Sequence, residues 1–181
     1  MFTNNGNDGI DVSGTTVTVT NTDLNYINDK GISSGEGSSI TASGVSVSNA
    51  FIGLASKDRS TLVLDGVKVR DCKYDVSVYQ KKSEFGPASI KIDNGDFPDG
   101  FPNARLEQNS LMTYNGKKRK GKKLALYSQL YHDKDFAKLE RYIIENPTDD
   151  RFTKLKALYN KYDMFEAAKA LDVLHQEFLK K

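Results

Sequence analysis

Three carboxylates near the start of the chain are the residues best spaced for chemistry. Asp8 and Asp11 share one short polar stretch, and Asp29 follows Asp8 after an interval just short of the chain's own repeat. Asp8 and Asp29 are therefore expected to stand on neighbouring coils. Paired carboxylates are what an inverting glycoside hydrolase uses, an acid and a base roughly 6.5–9.5 Å apart. Their mutual repulsion would drive their pKa values apart. Lys30 argues the other way. It follows Asp8 by one full repeat and is expected to form an ion pair with it rather than leave a dyad. The plainer role for Asp8, Asp11 and Asp29 is in turns and a solvated polar ladder. No catalytic residue is therefore assigned, and these three stand as the candidates.

A second candidate surface lies at Tyr79, Lys81, Lys82 and Phe85. Two rings would give apolar contact and two ammonium groups would read acidic groups on a ligand. The competing reading is a long turn. Other chemistry lacks support. No metal constellation has standard spacing, no Gly-rich phosphate loop opens a helix, and no Ser/His/Asp set is in evidence. No cofactor is expected. Calcium on the aspartates is the one alternative, without a recognisable ligand spacing.

These residues ride on a repeat. Gly9-Ile10, Gly31-Ile32, Gly53-Leu54 and Asp75-Val76 recur at an even period of about 22 residues. Val17, Ile40 and Leu62 head a second series, and Leu24, Val45 with Val47, and Val67 with Val69 a third. Three short strands per period, with Gly, Asn, Asp and Ser between them, predict a solenoid. Strands this short are not stable alone, and stacking at the ~4.8 Å inter-strand spacing buries their inward side chains against the next coil. The pattern predicts a right-handed parallel β-helix over 1–116. Coils are expected at about 9–30, 31–52, 53–74 and 75–103, after a polar lead-in over 1–8. Ile90 falls about six residues later than one period after Leu62, which places an insertion within 80–87. Leu111, one position short of a further period after Ile90, points to a final partial coil, and Asn115-Gly116 to a tight turn.

Asn7-Asp-Gly-Ile-Asp-Val-Ser-Gly14, Asp29-Lys-Gly-Ile-Ser-Ser-Gly-Glu-Gly37, Ile52-Gly-Leu-Ala-Ser-Lys-Asp58 and Tyr79-Gln-Lys-Lys-Ser-Glu-Phe-Gly-Pro87 resemble the closing coils of bacterial exported β-helix proteins of the pectin-lyase-like class. Some such repeats sit beside spore-coat-H-type kinase domains in larger proteins, but no kinase motif is present here. The resemblance spans roughly 1–115 and implies an extracellular or cell-surface location and a polysaccharide or surface component as partner. It also implies further coils ahead of Met1. Asn5-Gly-Asn-Asp-Gly-Ile-Asp11 is similar to the first aspartate motif of polygalacturonases. The adjacent aspartate pair is broken by Lys30, and the family's Gly-His-Gly and Arg-x-Lys elements are missing. The expected function is a non-catalytic scaffold that binds glycans or surface components. The alternatives are a fibre-like assembly component and a degenerate polysaccharide hydrolase or lyase.

Charge divides the chain. Residues 1–100 carry 9 basic and 13 acidic side chains, residues 101–181 carry 17 and 11. The first part is rich in Ser, Thr, Gly and Val, the second in Lys, Leu, Tyr and Glu, which argues for two modules. Lys117-Lys-Arg-Lys-Gly-Lys-Lys123 falls at the join and is read as a basic linker. It lacks interleaved aromatics, so nucleic acid is not an expected partner. No apolar run approaches the ~20 residues of a membrane helix, and no signal-peptide pattern opens the chain. Cys72 is alone and takes a small packing role. Residues 124–181 are expected to form a helical module of four helices, at about 122–132, 134–146, 149–161 and 164–180. Pro147 ends the second and Thr148 caps the third. The expected stripes are Phe152, Leu155, Tyr159 and Tyr162, then Met164, Ala167, Leu171, Leu174 and Phe178. His132 and His175 are read as surface or packing residues. Self-association is expected through the helices or the open edge of the first coil, since bare strand edges invite pairing.

Overall fold

The computed structural model describes residues 1–121, 139–143, 145–161 and 165–180. The chain divides into two compact units, Met1–Gln129 and Leu130–Lys181.

The first unit is a β-solenoid of about five turns with ~22-residue spacing. Its strands form three columns. The first holds β1 (Phe2–Asn5), the leading halves of β4 (Asp23–Gly35) and β6 (Ser46–Lys57), and β8 (Lys68–Arg70). The second holds β2 (Ile10–Ser13), the trailing halves of β4 and β6, β9 (Tyr74–Tyr79) and β11 (Ala104–Leu106). The third runs β3 (Thr16–Thr20), β5 (Ser39–Ser43), β7 (Thr61–Asp65), β10 (Ser89–Asp93), β12 (Leu111–Tyr114) and β13 (Lys117–Lys120). All pairings are parallel except β12 with β13.

The register realises the repeat. Ile10 pairs with Ile32, Ile32 with Leu54, Leu54 with Val76 and Val76 with Ala104. Val17, Ile40, Leu62 and Ile90 align in the third column, and Leu24, Val47 and Val69 in the first. These inward columns form one buried core. Residues 1–8 include a true strand, since Phe2 pairs with Leu24. The last coil keeps the full period: Ile90 pairs with Met112, not Leu111.

The recurrent glycines mark a tight corner between the first two columns. A Cβ on Gly31 would lie 2.3 Å from Val47 Cγ1 and 2.6 Å from the Gly53 carbonyl oxygen, so no larger residue fits. At the end of the third column, Asn21, Gly44, Gly66, Asn94 and Asn115 all hold positive φ, a region Gly and Asn enter most readily.

The reading of 117–123 as a linker needs correction. Lys117–Lys120 is strand β13, folded back on β12 by Asn115 and Gly116, whose φ angles of 46° and 77° suit a two-residue hairpin turn. Backbone pairing thus overrides the low strand preference of lysine. Residues 122 and 123 lie outside the described part.

In the second unit, residues 139–143 are helical, followed by α1 (Asp149–Lys161) and α2 (Phe165–Phe178). Thr148 caps α1: its hydroxyl accepts from the Arg151 N–H at 3.4 Å, and Asp149 and Asp150 occupy the first turn. Ile143, Phe152, Leu155, Tyr159, Ala168 and Leu171 form the core, with Leu139 and Phe178 against it. Of the stripe expected on the last helix, Leu171 and Phe178 join this core, whereas Leu174 is 45 % exposed and Ala168 is buried in addition. The expected helix over 122–132, and the expectations for His132, Tyr162, Met164 and the Ala167 side chain, lie outside the described residues.

Candidate functional site

Lys30 sits at an irregularity. The pairing of β4 with β6 shifts register between Ile27 and Lys30, a bulge of the kind that re-aims side chains. The Lys30 ammonium donates to Asp8 Oδ1 at 3.0 Å and to Asp29 Oδ2 at 2.7 Å, and the Lys30 N–H donates to the same Asp8 oxygen at 3.1 Å. The three side chains are only 12 %, 7 % and 15 % exposed. Burial opposes the charge on Lys30, but the hydrogen bond to Asp29 and the nearby Asp8 and Asp29 charges outweigh it, so its pKa is raised. The two carboxylates suited to acid–base work are therefore bound to one lasting cation.

Asp11 joins a second chain of contacts. It faces outward beside Ser33, its partner one coil on. Lys57, 8 % exposed, reaches back across two coils to donate to Ser33 Oγ at 2.8 Å, with Asp11 Oδ1 at 3.4 Å. Its path runs over Gly35, where a Cβ would lie 2.7 Å from Lys57 Cε. At the neighbouring corner, Glu36 accepts from the Ser13 hydroxyl and the Lys82 ammonium. Those hydrogen bonds, Lys82 first, hold Glu36 below the usual carboxylate range, and the same bond raises Lys82. Sequence reasoning missed Ser33, Glu36 and Lys57, since only the exact stacking register reveals contacts between residues so distant along the chain.

The inserted segment follows β9 and is held by its own polar anchors. Asp58 Oδ1 accepts from the N–H groups of Lys81 and Lys82 at 2.7 and 2.8 Å. Gln80 Nε2 donates to the carbonyls of Lys82, Ser83 and Phe85. Of the four residues expected to read a ligand here, Lys81 is exposed, while Lys82 and Phe85 are half-buried. Tyr79 is a correction: it is 2 % exposed, so its ring is not offered to a surface ligand. It follows Lys57 in the outward column of the second strand set, where its neighbours enclose it.

Asp8 and Asp29 both accept from the Lys30 ammonium. Among the described residues, no group of three or more His, Cys, Asp or Glu side chains is disposed to hold a metal. Cys72 packs against the core and donates to the Arg70 carbonyl at 3.3 Å, and burial pushes its thiol pKa up to about 11. His175 packs flat on Phe152, ring centroids 4.6 Å apart, with Nε2 2.7 Å from Asp149 Oδ1, a packing role. No described helix is long and apolar enough to cross a membrane. Comparison of the chain with protein-family models, curated proteins and solved structures finds no match.

Proposed function

We propose that the solenoid is a non-catalytic scaffold that recognises glycans or other surface components outside the cell, wound right-handed as in the pectin-lyase-like class. The observation that carries this reading is the Asp8–Lys30–Asp29 cluster. A general acid needs a proton to give and a general base needs a free lone pair. Both carboxylates instead hold one ammonium, and Lys30 also satisfies Asp8 through its backbone N–H. What remains is a rigid stack of outward hydroxyl, amide and charged side chains at the regular ~4.8 Å strand spacing, a surface suited to a repeating polymer.

The test pairs a glycan array that includes uronic-acid polymers with a turnover assay. Pectin and alginate are incubated with the chain, with and without calcium, and reducing ends and unsaturated products are measured. Binding without turnover is expected. Turnover abolished by Asp8→Asn or Asp29→Asn would restore the hydrolase or lyase reading, and an array with no hits would sink recognition. A second reading, assembly, is favoured by one observation: β1, β2 and β3 each pair on one side only. Sedimentation of the chain as a monomer at all concentrations would count against it.

A further inference from the structure

The geometry points to an anionic polysaccharide bound along the outward face of the third strand column, held at one end by the basic strand β13. This rests on the recognition reading above and moves the acidic ligand from the 80–87 loop to this face. Lys117, Lys118, Arg119 and Lys120 are all exposed. Among the described residues, no ion pair joins any of them to a carboxylate. The loop differs: Lys82 is already paired with Glu36. Four cations on one short strand, with no carboxylate partner among the described residues, focus a field that draws a polyanion.

Alternation splits the four. Lys117 and Arg119 pair with Tyr114 and the buried Met112, on the core side, whereas Lys118 and Lys120 pair with Thr113 and Leu111 on the outward side. Two residues apart on one face, Lys118 and Lys120 lie roughly 6.7 Å from each other along the strand. Behind them one outward column runs Leu111, Ser89, Thr61 and Ser39, and the next runs Thr113, Lys91, Val63 and Thr41, with Asp93 and Asp65 paired at the far edge of the face and Lys91 bound to Asp93. A polymer lying across the strands would thus meet hydroxyls at each coil and ammonium groups at the end.

The class of polyanion follows from what the face carries. Its outward side chains include no aromatic ring, so bases have nothing to stack on. None of the large exposed apolar residues lies on these strands, so a bilayer has nothing to insert. A carboxylated or sulfated sugar chain uses both the hydroxyls and the charges. Edge-strand lysines also discourage strand pairing, and binding data separate that role from this one.

The experiment uses the full chain against immobilised polygalacturonate, with dextran, an oligothymidine and phosphatidylserine vesicles as the other arms. Lys118→Gln/Lys120→Gln is expected to weaken polygalacturonate binding by at least about tenfold and to flatten its salt dependence. Lys82→Gln is expected to change it less than about twofold, since Lys82 is already paired with Glu36. Circular dichroism checks the strand content. Should the double variant lose it, Lys118→Gln alone is read, with a loss of roughly threefold expected. Equal losses in the strand and loop variants would overturn the assignment, as would tighter binding to the oligothymidine or the vesicles. Hits on neutral glycans without polygalacturonate binding would overturn this inference and leave the recognition reading standing. Loss of all glycan binding would overturn both.

Discussion

Replacing Lys30 by methionine tests whether the aspartate cluster is structural. The substitution keeps the aliphatic stem and removes the ammonium, leaving Asp8 and Asp29 nearly buried with no cation between them. Breaking a buried pair costs about 3–5 kcal/mol, and a hydrogen bond to a charged group is worth about 1.5–3 kcal/mol. The cluster keeps some contact with water, and Asp8 retains the Lys30 N–H, so a loss of about 2–3 kcal/mol at pH 7 is expected. The sign of the pH dependence discriminates. The native Lys30 pKa is raised, so its contribution is complete below its unfolded value of ~10.4 and fades as pH climbs through the higher folded value. In the variant, lowering the pH toward ~4 protonates a carboxylate and relieves the repulsion. The difference between native and variant should therefore shrink in acid. Urea unfolding monitored by circular dichroism at pH 7 and pH 4 measures both. A difference below about 0.5 kcal/mol at pH 7, the ordinary range for a surface substitution, would refute the argument, and so would one that grows in acid.

Three further outcomes are expected. Gly31→Ala should cost about 1–3 kcal/mol by overpacking, because its Cβ would strike Val47 and a backbone carbonyl, whereas Gly6→Ala, with nothing within 4 Å, should be near neutral; equal effects in thermal melts would contradict the corner geometry. Asp58→Ala should free the backbone N–H groups of Lys81 and Lys82 and cost about 1–3 kcal/mol; limited proteolysis should then cut within 80–87, and an unchanged digest would refute the anchor. Cys72, with its thiol raised to about 11 by burial, should resist iodoacetamide at pH 8 in the folded protein and react once unfolded; equal rates would show the thiol to be accessible.

The repeat was legible because inward Ile, Leu and Val recur at one period and the glycines mark the same corner each time. The Lys30 ion pair was legible for the same reason, since one period places it over Asp8. Contacts that depart from straight stacking were hidden. Lys57 reaches Asp11 only because Gly35 leaves a slot, and nothing in the local sequence announces a side chain that crosses two coils. Strand β13 was hidden because all four of its residues are charged and exposed, so no apolar alternation marks it. Tyr79 was misplaced because an aromatic beside a loop gives no sign of its neighbours one coil away. On the last helix Leu171 and Phe178 were legible from their spacing and do join the core, whereas Leu174 continues the same spacing yet is exposed, which only the packing decides.

The uniform register also shapes how such a chain can change over time. Each added coil closes a loop of nearly the same length, and closure entropy grows only as the logarithm of that length. Lengthening one coil by about a quarter, as between Leu62 and Ile90, costs only about 0.2 kcal/mol more in closure. Deleting one residue inside a strand would instead throw the remaining side chains of that strand onto the wrong face. Variation is thus steered to the turns, where new segments can be tried at little thermodynamic risk, while the stacked columns hold the frame on which they are displayed.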